Sequence, residues 1–291
     1  MLLSTQTDNV FAKCGIDEGL KIFAAAGYDA LDYSMFGMTN DDHFLNNCDV
    51  EAFAKELRGK AEALGLVFNQ AHAPFPCWRN GDEAYNAKMP ARVANAIRIA
   101  GILGAKSIVV HPIAYIKPGD AQKAFNFDFY RSIEPVALEY GTKIALENMW
   151  GYDNRRGYIM PNVCSFGRDL CEYYDELANP AAYTVCLDLG HCGLVGEDCA
   201  SMIRGMGSRI GCLHIHDNDH INDSHQLPYL SKMDWDSILK ALADIGYKGN
   251  FTYEADSFLR MFPDSMLTEC EKFMSGIGRK MIEKINEFRV K

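Results

Sequence analysis

Apolar residues along this chain gather in short runs, and between the runs they recur at the three-to-four-residue interval of a helix face. The short runs predict eight strands, over 2–7, 30–34, 66–72, 107–111, 143–147, 184–188, 210–216 and 250–254. The longer amphipathic patterns predict helices over 17–26, 50–64, 82–103, 128–140, 166–178, 198–206, 234–245 and about 263–288. Gly27, Gly65, Gly104, Gly141 and Gly246 stand where five of these helices would stop, the position that favours a left-handed residue.

The repeating unit is strand, loop, helix and glycine turn, which is the crossover that builds a parallel sheet. Its strands are continuous apolar runs such as Ile108-Val109-Val110 and Ile144-Ala145-Leu146, as expected of strands buried on both faces. No proline-rich or serine-rich linker interrupts the pattern, so one domain over 1–291 is expected, an α/β fold of the single (β/α)8 TIM-barrel type. A doubly wound open sheet is disfavoured, because no G-x-G-x-x-G follows the first strand.

Composition narrows the picture without redirecting it. With 48% hydrophobic and 23% charged residues the chain is an ordinary globular one, which excludes disorder, collagen and coiled coil. Its 29 basic against 39 acidic residues give a net charge of −10, which argues against nucleic acid or an anionic membrane as partner. No charged leader and no run of eighteen apolar residues is present, so a cytoplasmic location without a membrane anchor is expected. The ten cysteines form no C-x-x-C pair and read as buried thiols.

The candidate chemistry lies at the ends of the predicted strands. His72 ends the third, His111 the fourth, Glu147 the fifth and Asp188 the sixth, with His191 three residues on; His214 lies in the seventh and Glu254 ends the eighth. The steps from 72 to 111, 147, 188, 214 and 254 are 39, 36, 41, 26 and 40 residues, about one barrel unit each. All C-terminal strand ends of such a barrel face one rim, where active sites are built. Acids and imidazoles crowded there need compensation, and a divalent cation supplies it. Taken singly, His43, His220 and, less firmly, His216 read as structural, and Asp188 as a helix N-cap. Trp150 offers a flat aromatic face to a ring-shaped ligand.

Ala71-His72-Ala73-Pro74, His111-Pro112, Leu146-Glu147-Asn148, Asp188-Leu189-Gly190-His191, His214-Ile215-His216-Asp217, Asp223-Ser224-His225 and Tyr253-Glu254 together resemble the xylose isomerase-like TIM-barrel superfamily. Its sugar phosphate isomerases and epimerases include the ketose 3-epimerases, with the type-IV apurinic endonucleases as relatives. The resemblance implies one divalent metal ion, Mn, Zn, Mg or Co, on Glu147, Asp188, His214 and Glu254. It implies Glu147 and Glu254 as the catalytic proton-transfer pair and an enediolate formed from a small sugar, a sugar phosphate or a related polyol ketone. His191 then lies near the substrate oxygens, and His72, His111, His225 and Trp150 are expected as further substrate contacts. Asp217 and His220 stand where the ketose epimerases offer an arginine, and Asp153 where they have a substrate-binding glutamate, which leaves the sugar open.

Two other functions compete. His72, His111, Glu147, Asp188, His191, His214, Asp223, His225 and Glu254 also resemble the trinuclear zinc set of the apurinic endonucleases. Phosphate binding, however, needs cations on the rim. Between Asp29 and Val50 the chain carries Asp29, Asp32, Asp41, Asp42 and Asp49 and no lysine or arginine. A dehydratase or lyase acting on a sugar derivative such as an inosose would use the same base and metal. The expected partner is a small-molecule carbohydrate, and a homo-oligomer stays open.

Overall fold

The computed structural model describes residues 1–114 and 119–290. Its barrel strands are β1 (Leu3–Gln6), β2 (Ala30–Ser34), β3 (Val67–His72), β4 (Ser107–Val109) and β5 (Lys143–Glu147), followed by β8 (Tyr183–Asp188), β9 (Ile210–His214) and β10 (Phe251–Tyr253). Between β5 and β8 an antiparallel hairpin is inserted, made of β6 (Gly151–Asp153) and β7 (Tyr158–Met160). The eight-stranded sheet is parallel throughout and runs in the order β10-β1-β2-β3-β4-β5-β8-β9. It closes just past the strand ends, where the Ile215 amide donates to the Thr252 carbonyl (3.0 Å) and the Glu254 amide to the Ile215 carbonyl (3.1 Å). The expected (β/α)8 barrel is what forms.

Helices fill the crossovers: α1 (Asp8–Cys14), α2 (Ile16–Ala26), α3 (Val50–Ala63), α4 (Glu83–Asn86), α5 (Met89–Leu103) and α6 (Asp120–Tyr140) in the first half. In the second half come α7 (Gly167–Leu177), α8 (Leu189–Leu194), α9 (Cys199–Met206), α10 (Trp235–Asp244), α11 (Ser257–Arg260) and α12 (Leu267–Val290). Gly104 and Gly141 end α5 and α6 at φ of 88° and 65°, where a side chain would strain the backbone. The predicted helix over 82–103 is split into α4 and α5, with Pro90 in the first turn of the second, where its missing N–H costs nothing. Helix α6 starts eight residues before the predicted 128, and β4 and β9 stop at Val109 and His214, short of the predicted 111 and 216.

Side chains two positions apart on a strand share a face, so Ala145, Cys186 and Cys212 lie one layer beneath Glu147, Asp188 and His214. Together with Val109 they form a small buried cluster inside the barrel. Below it Ser4 Oγ donates to Asn69 Oδ1 (2.7 Å), and Asn69 Nδ2 to Thr252 Oγ1 (3.3 Å). The charged rim therefore stands on a packed floor. All ten cysteines are free thiols, and among the described residues no helix is long and apolar enough to cross a membrane.

Candidate active site

Each strand end delivers one functional side chain to the same rim, and the loops that follow deliver the rest. His214, ending β9, is fully buried and turns its Nδ1 to Glu147 Oε1 (2.6 Å), Glu254 Oε2 (3.2 Å) and Asp188 Oδ2 (3.9 Å). These four groups have ligand atoms within 4.8 Å of one another, the packing of a candidate metal centre. His111 Nε2 stands 2.7 Å, and His72 Nε2 3.8 Å, from Glu147 Oε2, so both lie on the far side of that carboxylate. On the opposite flank His191, His216, Asp223 and His225 form another such group.

The histidine orientations follow from what a carbonyl oxygen can do, which is only accept. His72 Nδ1 lies 2.8 Å from the Ala73 carbonyl, His191 Nδ1 2.7 Å from that of Asn148, and His225 Nδ1 2.8 Å from that of Glu254. Each Nδ1 thus carries the proton and each Nε2 is turned to the other donor groups of the rim, the arrangement usual in metal-ligating histidines. His191 Nε2 then meets Asp223 Oδ2 at 3.5 Å, and His225 Nε2 meets the same oxygen at 3.2 Å. The Trp150 indole N–H donates to that oxygen too (3.0 Å), which fixes the ring at the inner wall of the cavity.

Burial and neighbouring charge compete at Glu147, Glu254, His111, His191, His214 and His225. Burial works to raise the Glu147 carboxyl, but the His214 and His111 imidazoles outweigh it and hold Glu147 well below the ordinary carboxylate range. Burial prevails at Glu254, whose carboxyl is raised. At His191 and His214 burial is overcome by the surrounding carboxylates, chiefly Asp188 for the first and Glu254 for the second, and both are lifted well above the ordinary imidazole range. His225 is lifted in the same way, against burial and by Asp223, to about 10. His111 is the exception: burial outweighs Glu147 and its proton affinity falls.

The donor set fits a divalent cation. Four carboxylates and several inward-turned imidazole nitrogens converge out of solvent, where isolated charges are costly. Asp223 Oδ1 and His216 Nδ1 are buried with no hydrogen-bond partner among the described residues. Carboxylate oxygens outnumber nitrogens around His214 Nδ1, a mixture that suits Mn, Mg or Co as well as Zn.

Three participants escaped sequence reasoning. Asp32, in β2, is buried, accepts from Gln70 Nε2 (2.7 Å) and stands 3.4 Å from His214 Nε2, which orients that ring from behind. Asn148 exchanges two hydrogen bonds of 2.8 Å with the Asp188 backbone and locks β5 to β8 at the rim. The signal for both is a polar residue beside or within an apolar strand run. His216, read from sequence as structural, lies 3.1 Å from Asp188 Oδ1 and stacks on His225 at 4.0 Å between ring centroids. By contrast His43 and His220 stay outside the cavity lining, Asp153 binds the amides of Arg155 and Arg156 in the hairpin turn, and buried Asp217 accepts from Ser231, Met233 and Trp235.

From Glu254 and His225 a cavity of about 610 Å³ opens outward, walled by the β6–β7 hairpin, Ile221 and the loop after β10.

Residues 20–266 match the family described as xylose isomerase-like TIM barrel. An uncharacterized protein of Sinorhizobium fredii, y4fM, is 30% identical over 166 residues, which is 55% of this chain and 50% of that one. A D-psicose 3-epimerase of Ruminiclostridium cellulolyticum is 24% identical over 242 residues, covering 79% of this chain and 77% of its own. The crystal structure of a D-tagatose 3-epimerase-like protein superimposes with a TM-score of 0.72 at 21% identity, over 99% of both chains.

Proposed function

Because the chain belongs to the xylose isomerase-like TIM-barrel family, we propose that it is a divalent-metal-dependent isomerase or epimerase acting on a small sugar or a related polyol ketone. The observation that carries this reading is the pairing of Glu147 and Glu254 across a single imidazole nitrogen, at 2.6 and 3.2 Å from His214 Nδ1. They arrive from β5 and β10, with β8 and β9 between them, so the two carboxylates approach one point from different sides of the mouth. That is what moving a proton from one face of a carbon to the other requires. The names of the epimerases similar to this chain agree with the reading.

In this reading Glu147, Asp188, His214 and Glu254 hold the cation. That cation would supply Lewis-acid stabilisation of the negative charge that grows as the carbon-bound proton leaves. Glu147 removes the proton from the carbon beside the carbonyl and Glu254 returns one, or the reverse, according to the configuration of the sugar. Gln6 Nε2, 2.9 Å from Glu254 Oε1, fixes that carboxylate and leaves Oε2 for the chemistry. In this reading His225 and Trp150, which line the cavity, meet the sugar, whereas His72, His111 and His191 lie behind that lining with Nε2 turned to His111, Glu147 and Asp223 respectively.

Glu147→Gln and Glu254→Gln are expected to keep the fold and abolish exchange of that carbon-bound proton with solvent deuterium. Wild-type exchange in either variant with metal bound removes that glutamate from the proton-transfer role.

The donor groups on both flanks of the central four favour, as a second reading, a multinuclear zinc phosphodiesterase. Against it, the loop after β2 carries no cation of its own, and Lys88 and Arg92, which reach it from outside, are paired with Asp41. About three zinc ions per chain by elemental analysis, with cleavage of an abasic-site duplex, would establish the second reading in place of the first.

A further inference from the structure

We infer that the substrate is an unphosphorylated keto-sugar carrying a second ring, as in a glycoside, with the reacting sugar at Glu254 and His225 and the second ring against the hairpin wall formed by Tyr152 and Ile159. This rests on the isomerase or epimerase reading above and narrows it.

Size is the first argument. The cavity measures about 610 Å³ and runs without interruption from the carboxylates to the hairpin. Cavities of about 300–1,000 Å³ hold ligands of drug size, and a hexose of about twelve non-hydrogen atoms is much smaller than that class. One sugar fixed at the buried groups leaves the outer part unfilled.

The character of the outer wall is the second argument. Tyr152 and Ile221 are 52% and 63% exposed, and both line the cavity. In β6 and β7 Tyr152 stands opposite Ile159, so the hairpin presents these two side chains on one face. An aromatic face of this kind suits the C–H face of a sugar or an aryl group. Trp150, pinned by its bond to Asp223, joins this wall to the inner site.

Charge is the third. The charged side chains of the outer cavity are Asp8, Asp256 and Arg260, and the guanidinium is already engaged, Nη2 lying 2.5 Å from Asp256 Oδ2. Arg155 and Arg156 sit in the hairpin turn and do not line the cavity. A phosphate there would meet two acids and no free cation among the described lining residues, whereas phosphate recognition relies on arginine or lysine donors. The occupant therefore carries no phosphate in this outer part.

Isothermal titration with matched methyl and phenyl glycosides of glucose, galactose and mannose, with cellobiose and lactose, and with the three hexose 6-phosphates tests this without turnover. A phenyl glycoside or disaccharide should bind at least about tenfold more tightly than its methyl partner, and the phosphates more weakly than either. The phenyl and disaccharide arms tell an aryl second ring from a sugar one. Tyr152 is half exposed, so Tyr152→Ala removes little packing, and it should shrink that preference at least about fivefold. Equal affinity for methyl and two-ring ligands, tightest binding by a phosphate, no binding by any of them, or an unchanged preference in Tyr152→Ala would overturn the inference. Solvent deuterium exchange into the keto derivatives of the tightest ligands, oxidised in turn at each ring hydroxyl, tests the reaction separately: two-ring selectivity without exchange into any of them defeats the isomerase or epimerase reading and leaves the subsite standing.

Discussion

At the scale of single residues, the rim is held by groups that carry no charge. Gly190 is the clearest case, because a Cβ there would overlap the imidazole of His216, which is fully buried between Asp188 and the stacked His225. The ring has nowhere to go, and overpacking a tight interior costs about 1–3 kcal/mol. Gly190→Ala should therefore lower thermal stability by that order and displace Asp188, lowering metal content along with it. An unchanged melting temperature and metal content would show that His216 has room to move. Neither consequence is visible in the sequence, where Asp188-Leu189-Gly190-His191 shows the acid and the imidazole but not what stands over the glycine. His72, His111, Glu147, Asp188, His214 and Glu254 were legible because strand ends of a barrel share one rim. Asp32 and His216 were not, because their importance lies in what they touch across the barrel.

Among the elements, α12 closes the barrel's outer layer and carries a buried acid unrelated to the rim. Leu267, Cys270, Glu271, Met274, Gly278, Met281, Ile282 and Ile285 form its inner face at helical spacing. Glu271 is fully buried, takes one hydrogen bond from the Tyr28 hydroxyl (2.9 Å) and has no partner for Oε1 among the described residues. Burial pushes its carboxyl up to about 8. In the unfolded chain a glutamate titrates near its usual value of about 4.3. Between those two values the native state holds the proton and the unfolded state does not, so stability is full below about 4.3 and falls as pH rises towards 8. Glu271→Gln keeps the shape without the charge and should melt several degrees higher than wild type at pH 8, with the gap closing by pH 5. A gap independent of pH would refute the assignment. The sequence predicts the helix well, since its apolar period is long and regular. It does not reveal the hairpin, whose strands Gly151–Asp153 and Tyr158–Met160 are too short for a period to show, although the Asp153-to-Gly157 turn marks the place.

For the molecule as a whole, the site and the fold stabilise one another. Glu147, Asp188, Asp223 and Glu254 are brought together only when the barrel is complete, and the cation proposed above would offset their repulsion. Stripping metal with a chelator should lower the melting temperature, and adding Mn²⁺ at about a thousand times its dissociation constant should restore about 4 kcal/mol. Identical melting curves with and without chelator, for protein shown to contain metal, would separate the ion from stability. The closure between β9 and β10 adds a constraint in time. Glu254 directly follows a strand that pairs with β1 on one side and reaches β9 only through the backbone of Ile215, so contacts spanning nearly 250 residues must form before this carboxylate is in place. Such distant pairing is slow to nucleate. A chain that stops short of β10 therefore lacks both the strand that fills the gap between β9 and β1 and the carboxylate of Glu254, so the group proposed to return the proton joins the site only after nearly the whole chain has been made.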